Sequence, residues 1–144
     1  RHGVRRQRQM CIRDRCGVGP LMKLADDLGI GWVVLADGDQ AGKNYARRVR
    51  GHLAEGGTGE VVVLPARDIE HYLFEHGYAD VIKAAARVGG TRSASKIIKA
   101  ATEKVTKPGL ALIILEAADE RGAEGVPAVL RELAETAQRM ARGD

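Results

Sequence analysis

Two aspartates one residue apart, Asp37-Gly38-Asp39, close the apolar run Trp32-Val33-Val34-Leu35-Ala36. A strand that ends in carboxylates places them at its C-terminal edge, where parallel α/β sheets carry their chemistry. Paired oxygen ligands on a rigid base suit a hard divalent cation and leave positions open for phosphate and water. Gly38 lets the chain turn between them without a Cβ clash. Gln40-Ala41-Gly42-Lys43-Asn44-Tyr45-Ala46 then opens a helix whose first N–H groups and dipole favour an anion nearby. The structural alternative makes Asp39 a helix N-cap and Asp37 a solvated turn residue.

The pattern recurs once. Asp68-Ile69-Glu70 follows the second apolar run, Glu60-Val61-Val62-Val63-Leu64-Pro65. If the two strands are neighbours in a parallel sheet, four carboxylates converge on one edge, enough for one or two cations, and without a cation they repel strongly. The plainer alternative is a capping Asp68 and a first-turn Glu70. Lys107, in Thr106-Lys107-Pro108-Gly109, sits in a loop before a helix, where its ammonium can reach a phosphate oxygen or can be an ordinary exposed lysine. Lys43, Arg47, Arg48 and Arg50 read as a solvated helix face close enough to the carboxylate edge to meet a DNA backbone. A phosphate-binding loop is disfavoured: the spacing from Gly38 to Gly42-Lys43 is one residue short, and no Ser or Thr follows the lysine.

The elements that must position these groups are legible from periodicity and punctuation. Pro20 to Leu28 carries Leu21, Leu24, Ala25 and Leu28 at helical spacing and stops at Gly29. Trp32 to Ala36 reads as a buried strand. Gln40 to Glu55 reads as a helix with Ala46, Val49 and Leu53 inward, ended by Gly56-Gly57-Thr58-Gly59. The second strand stops at Pro65. Helix, strand, helix, strand implies a parallel sheet with right-handed crossovers. Ile69 to His76 and Tyr78 to Val88 look helical, separated by Gly77, and Gly89-Gly90-Thr91-Arg92 marks a change of character. Three helices follow, Ser93 to Val105, Leu110 to Arg121 and Val126 to Arg142, with Pro108 and Pro127 at first-turn positions. The expectation is an α/β unit over residues 16–90 and a helical cover over residues 91–144.

Bulk properties need one exclusion first. Arg5-Arg6-Gln7-Arg8-Gln9-Met10-Cys11-Ile12-Arg13-Asp14-Arg15 resembles a translated DNA-sequencing adapter, so residues 1–15 are read as an artefact and set aside. Six of the 23 basic residues and one of the 19 acidic residues lie there, leaving 17 and 18. The basic pI of 9.3 is then no sign of nucleic-acid binding. Cys16 alone remains, which excludes a disulfide framework or a cysteine metal site. His71 and His76 are five apart and do not form a zinc spacing. With no run of about 18 apolar residues and no secretory segment, a soluble cytoplasmic setting and no membrane partner are expected.

The segment Trp32 to Lys43, with its Asp-Gly-Asp-Gln-Ala-Gly-Lys, resembles the second motif of Toprim domains, found in topoisomerases, primases and OLD-family nucleases. Leu64-Pro65-Ala66-Arg67-Asp68-Ile69-Glu70-His71-Tyr72-Leu73 resembles the third acidic element of the OLD family, and the tail with Lys107-Pro108 and Val126-Pro127 is similar to the OLD C-terminus. The resemblance covers nearly everything after residue 20. It implies a partial Toprim fold, a Rossmann-like parallel sheet truncated at its N-terminal side, with a C-terminal helical extension. It also implies metal-dependent cleavage of DNA phosphodiesters with Mg²⁺ or Mn²⁺. Asp37 and Asp39 would hold one cation, Asp68 and Glu70 a second, and Lys107 would neutralise transition-state charge. OLD proteins carry an N-terminal ATPase, so ATP use and homo-oligomerisation would belong to a region absent from this chain. Toprim domains also carry a glutamate on an earlier strand, and this chain has none before Glu55. That departure predicts a fragment weak or inactive by itself. The alternatives are a primase- or topoisomerase-type Toprim domain and a non-catalytic α/β interaction module. A primase would continue into an acidic run with Asp-Pro, which Asp68-Ile69-Glu70-His71 does not.

Overall fold

The computed structural model describes residues 18–88 and 91–142. The adapter-like residues 1–15, Cys16 and the Gly89-Gly90 pair lie outside the described residues. The order is α1 (Val18–Asp27), β1 (Val33–Ala36), α2 (Gln40–Ala54), β2 (Glu60–Val63), α3 (Ile69–Leu73), a wide turn (Phe74–Tyr78), α4 (Ala79–Ala86), α5 (Ala94–Arg121), a short 3₁₀ turn (Ala123–Gly125) and α6 (Ala128–Arg142). The class is mixed α/β. The two strands pair in parallel, Val33 opposite Glu60 through Ala36 opposite Val63, with α2 as the crossover.

Most expected breaks fall where the punctuation put them. Gly77 adopts φ +100°, a left-handed geometry that L-residues avoid, and turns α3 away from α4. The long α5 is interrupted at Thr106, where φ is +63° and ψ +163°, so it is two helices meeting end to end with Pro108 in the first turn of the second. The break separates the Ser93-to-Val105 and Leu110-to-Arg121 segments as their patterns require.

The buried-strand expectation for Trp32 to Ala36 is corrected, and the apolar positions of the α1 region also lie open. Leu21, Leu24 and Leu28 of the α1 region are more than half exposed, and Met22 is the side chain that is buried there. β1 is half-buried along Val33, Val34 and Leu35, and only Ala36 is fully enclosed. Both have one cause: among the described residues the sheet has two strands, so an element patterned to be covered on several sides has fewer neighbours than its composition anticipates.

The larger core is helical. Tyr78, Ile82 and Ala86 pack against Ile97, Ile98, Ala101, Leu110 and Ile114 of both halves of α5. Two tyrosines tie this layer to the C-terminal segment. The Tyr78 hydroxyl donates to Gly125 O at 2.8 Å, and the Tyr72 hydroxyl accepts from Val129 N at 3.1 Å. Arg121 closes the same joint: it donates to Gly77 O and to both Asp80 oxygens, and its guanidinium lies over the Tyr78 ring, 4.6 Å from the centroid. α6 returns to the sheet, where Arg139 pairs with Glu60 at 3.1 Å.

At the N-terminal end of the strands, Asp26 is the fastening. Its Oδ1 accepts from the Trp32 indole at 2.8 Å, from Thr58 N at 3.0 Å and from the Thr58 hydroxyl at 2.9 Å, while Oδ2 meets His52 Nε2 at 2.7 Å. One carboxylate therefore joins α1, the entry to β1, the end of α2 and the entry to β2. The Thr58 N–H bond and then the Trp32 bond hold the Asp26 carboxyl well below the usual carboxylate range, against the opposing effect of burial.

Two outcomes follow for stability. Ile82→Ala should cost about 2–5 kcal/mol, and Tyr78→Phe about 0.5–1.5 kcal/mol, both read from urea midpoints. A depressed carboxyl stabilises above its unfolded value of about 3.9 and loses that contribution as pH falls through its folded value. Asp26→Asn should therefore lower stability at pH 7 and flatten the loss of stability in acid, as followed by thermal melts between neutral and strongly acidic pH.

Candidate functional site: a carboxylate edge facing a lysine

The parallel ladder does not end with the strands. Leu64 N donates to Ala36 O at 2.8 Å, Gly38 N to Ala66 O at 3.0 Å and Asp39 N to Arg67 O at 3.1 Å. The two strand-exit loops thus continue side by side, which carries Asp37-Gly38-Asp39 alongside Ala66-Arg67-Asp68. A Cβ at Gly38 would run into the carbonyl oxygens of Ala66 and Leu64, and a Cβ at Gly42 into the Asp37 carbonyl and Cα. Gly38 is therefore required less for turning than for letting one loop lie flat on the other. Gly42 lets the first turn of α2 sit directly on the Asp37 backbone.

Each carboxylate has a distinct setting. Asp39 caps α2, accepting from Gly42 N at 2.6 Å. Asp68 caps α3, and its Oδ1 accepts both His71 N at 2.9 Å and the His71 ring Nδ1 at 2.6 Å. Glu70 is largely shielded, 14% exposed, and pairs with Lys107 Nζ at 2.8 Å. Asp37 makes no such bond among the described residues and remains at the surface. The helix-cap alternative for Asp39 and Asp68 is thus realised in the backbone bonds, and each cap occupies one oxygen of a carboxylate that has two.

Electrostatics link all five groups foreseen from the sequence. The Asp37 carboxyl is pushed up, first by partial desolvation and then by the negative charges of Asp39, Asp68 and Glu70, with Lys107 opposing. Lys107 is pushed up by its bond to Glu70 and by the charges of Glu70, Asp68 and Asp37. Burial would raise Asp68, but the backbone and ring bonds from His71, with the charges of His71 and Arg67, bring it down overall. The result is an edge of net negative charge with one ammonium drawn into it. Among the described residues no three His, Cys, Asp or Glu side chains converge to hold a metal ion.

Lys107 reaches this edge from the far half of the molecule. The residue before it, Thr106, adopts a φ/ψ combination that costs a non-glycine residue about 1–3 kcal/mol. Its hydroxyl accepts from Gly109 N at 3.3 Å, capping the second half of α5. The chain is therefore bent sharply where the lysine must turn back to Glu70. Lys43, Arg47, Arg48 and Arg50 are exposed along α2, as their charge implied. His71 lacks a zinc spacing, and its link to Asp68 is signalled only by its position: a histidine three residues after a capping aspartate falls on the same side of a first turn. Ser95, which accompanies His71 through its ring, carries no local signal at all.

Partly desolvated and facing the charges of Asp39, Asp68 and Glu70, the Asp37 carboxyl is a liability to the folded state once ionised. Asp37→Asn should raise the melting temperature of the metal-free chain at pH 7. Gly42→Ala should lower stability by about 1–3 kcal/mol through overlap with the Asp37 backbone, measured by urea unfolding.

No protein-family model matches the chain, and no solved structure matches it. The chain is similar to the uncharacterized protein YbjD of Escherichia coli (strain K12), 37% identical over 132 residues, an alignment covering 88% of this chain and 24% of that protein. It therefore spans about a quarter of the length of the curated relative it matches.

Proposed function

We propose that this chain is the Toprim nuclease part of a longer OLD-family protein that cleaves DNA phosphodiesters with Mg²⁺ or Mn²⁺. The observation that supports this reading best is the electrostatic coupling of Asp37 to Asp39, Asp68 and Glu70, with Lys107 drawn to the same edge. A hard cation is the natural relief for such a cluster, and the donor set is all oxygen, as Mg²⁺ and Mn²⁺ prefer. The match to about a quarter of a much longer relative agrees with a part rather than a whole.

In this reading Asp37 and Asp39 hold one cation and Asp68 and Glu70 a second. Bound cations would supply an activated water and charge stabilisation at the leaving oxygen. Lys107 releases Glu70 and meets the phosphate, neutralising charge that grows in the transition state. The exposed α2 arginines and Lys43 lie along the DNA backbone and bind it without reading sequence. ATP use and homo-oligomerisation belong to the longer protein, and without the Toprim glutamate the present chain is weak or inactive in cleavage.

Calorimetric titration of the chain with Mn²⁺ is the direct test. Binding that disappears in the Asp37→Ala/Asp39→Ala double variant supports the reading. An unchanged titration in that variant, or none in the wild type, leaves Asp39 and Asp68 as helix caps of an interaction module.

A further inference from the structure

One chain of contacts at the edge has no part in the scheme above. Asp68 Oδ1 meets His71 Nδ1 at 2.6 Å, and His71 Nε2 meets the Ser95 hydroxyl at 2.9 Å. The His71 side chain is 16% exposed, so its ring is held between these two partners. A carboxylate only accepts, so Nδ1 carries the proton that faces Asp68, and Nε2 shares the second hydrogen bond of the ring with the Ser95 hydroxyl. Ser95 lies in the first turn of α5, on the other side of the Gly89-to-Arg92 connection, and the same helix delivers Lys107.

We infer that His71 and Ser95 are positioning residues that lock the orientation of Asp68, committing Oδ1 to the imidazole and turning Oδ2, which faces only the exposed Arg67 Nε at 3.8 Å, toward a cation. Ser95 fixes the ring, the ring fixes the carboxylate, and α5 thereby sets the geometry of the edge at both Asp68 and Glu70. A ligating carboxylate is itself oriented by the groups that hydrogen-bond to it, and those groups act on the metal through it. The consequence for the cation rests on the metal reading of the edge, whereas the hydrogen-bond chain itself does not.

The order serine, histidine, aspartate is also that of an activated nucleophile. Ser95 sits exposed on its helix and away from the cleft between α4 and α5 lined by Asp80, Val81, Ala85, Ile113, Glu116 and Glu120. That placement favours the positioning role.

The test uses the 144-residue chain with Mn²⁺ as the probe, circular dichroism verifying the fold of each variant. His71→Ala keeps the backbone cap on Asp68 and should weaken Mn²⁺ binding about 10–100-fold. Ser95→Ala should weaken it by a smaller factor, and Ser95→Thr, which keeps the hydroxyl, should restore it. In ¹⁵N spectra of the metal-free protein, the His71 Nε2 resonance should move in Ser95→Ala and not in Ser95→Thr. A wild type that binds Mn²⁺ with His71→Ala and Ser95→Ala unchanged overturns the inference and leaves the metal reading standing. A wild type that binds no Mn²⁺ overturns both. Covalent labelling of Ser95 by a fluorophosphonate, lost in His71→Ala, would make it a nucleophile and overturn the positioning role.

Discussion

The edge-to-edge contact of the two strand-exit loops is the constraint on which the rest of the molecule depends. Backbone bonds from Gly38 to Ala66 and from Asp39 to Arg67 extend a four-residue parallel ladder past the end of its strands. That extension sets Asp37 and Asp39 beside Asp68, and it works only because no Cβ stands at Gly38. Gly42 adds the second condition by seating α2 on the Asp37 carbonyl. Two absent methyl groups thus hold two carboxylate-bearing loops at a spacing that longer side chains would open.

Such closeness has an electrostatic cost, visible in the raised Asp37 carboxyl. The protein limits it locally. Asp39 and Asp68 spend an oxygen each on helix N-termini, where N–H groups and the helix dipole favour negative charge. Glu70 is balanced by Lys107, and Asp68 is hydrogen-bonded by the backbone N–H and ring of His71. Asp37 has no comparable partner among the described residues. It is the group with most to gain from a cation, and the group whose neutralisation should most favour the folded chain.

The helical half is more than a cover. Its core around Tyr78, Ile82 and Leu110 holds α5 against α4, and the break at Thr106 points Lys107 back at the sheet edge. Arg121, bridging Gly77, Asp80 and the Tyr78 ring, fixes the far end of the same helix. The opposite end of the sheet is fastened separately by Asp26, so the two strands are clamped at their start by one carboxylate and joined at their exit by backbone bonds. The strained Thr106 lies between two packed segments, with Ile97, Ile98 and Ala101 buried before it and Leu110 and Ile114 after it.

Local chemistry was readable in the one-dimensional pattern because it depends on neighbours within a turn: the caps at Asp39 and Asp68, the stops at Gly29, Gly77 and Pro65, and the alternation of helix and strand that demands a parallel sheet. The inward faces of α2 at Ala46 and Val49 were likewise legible from helical spacing. Burial of Leu21, Leu24 and Val33 was not, since a pattern shows only that a side chain is fit to be covered, and coverage needs a neighbour. Distance along the chain hid the rest. Which oxygen of Asp68 is committed, that Ser95 stands against His71, that Tyr72 and Tyr78 receive the C-terminal segment, and that Lys107 returns to Glu70 are contacts between residues 24 to 57 positions apart, or bonds that depend on them. Sequence alone determined the carboxylates, the glycines and the order of elements, because these are properties of short segments. Only the tertiary structure decided which of those charges face one another, because that is settled by how the helices pack.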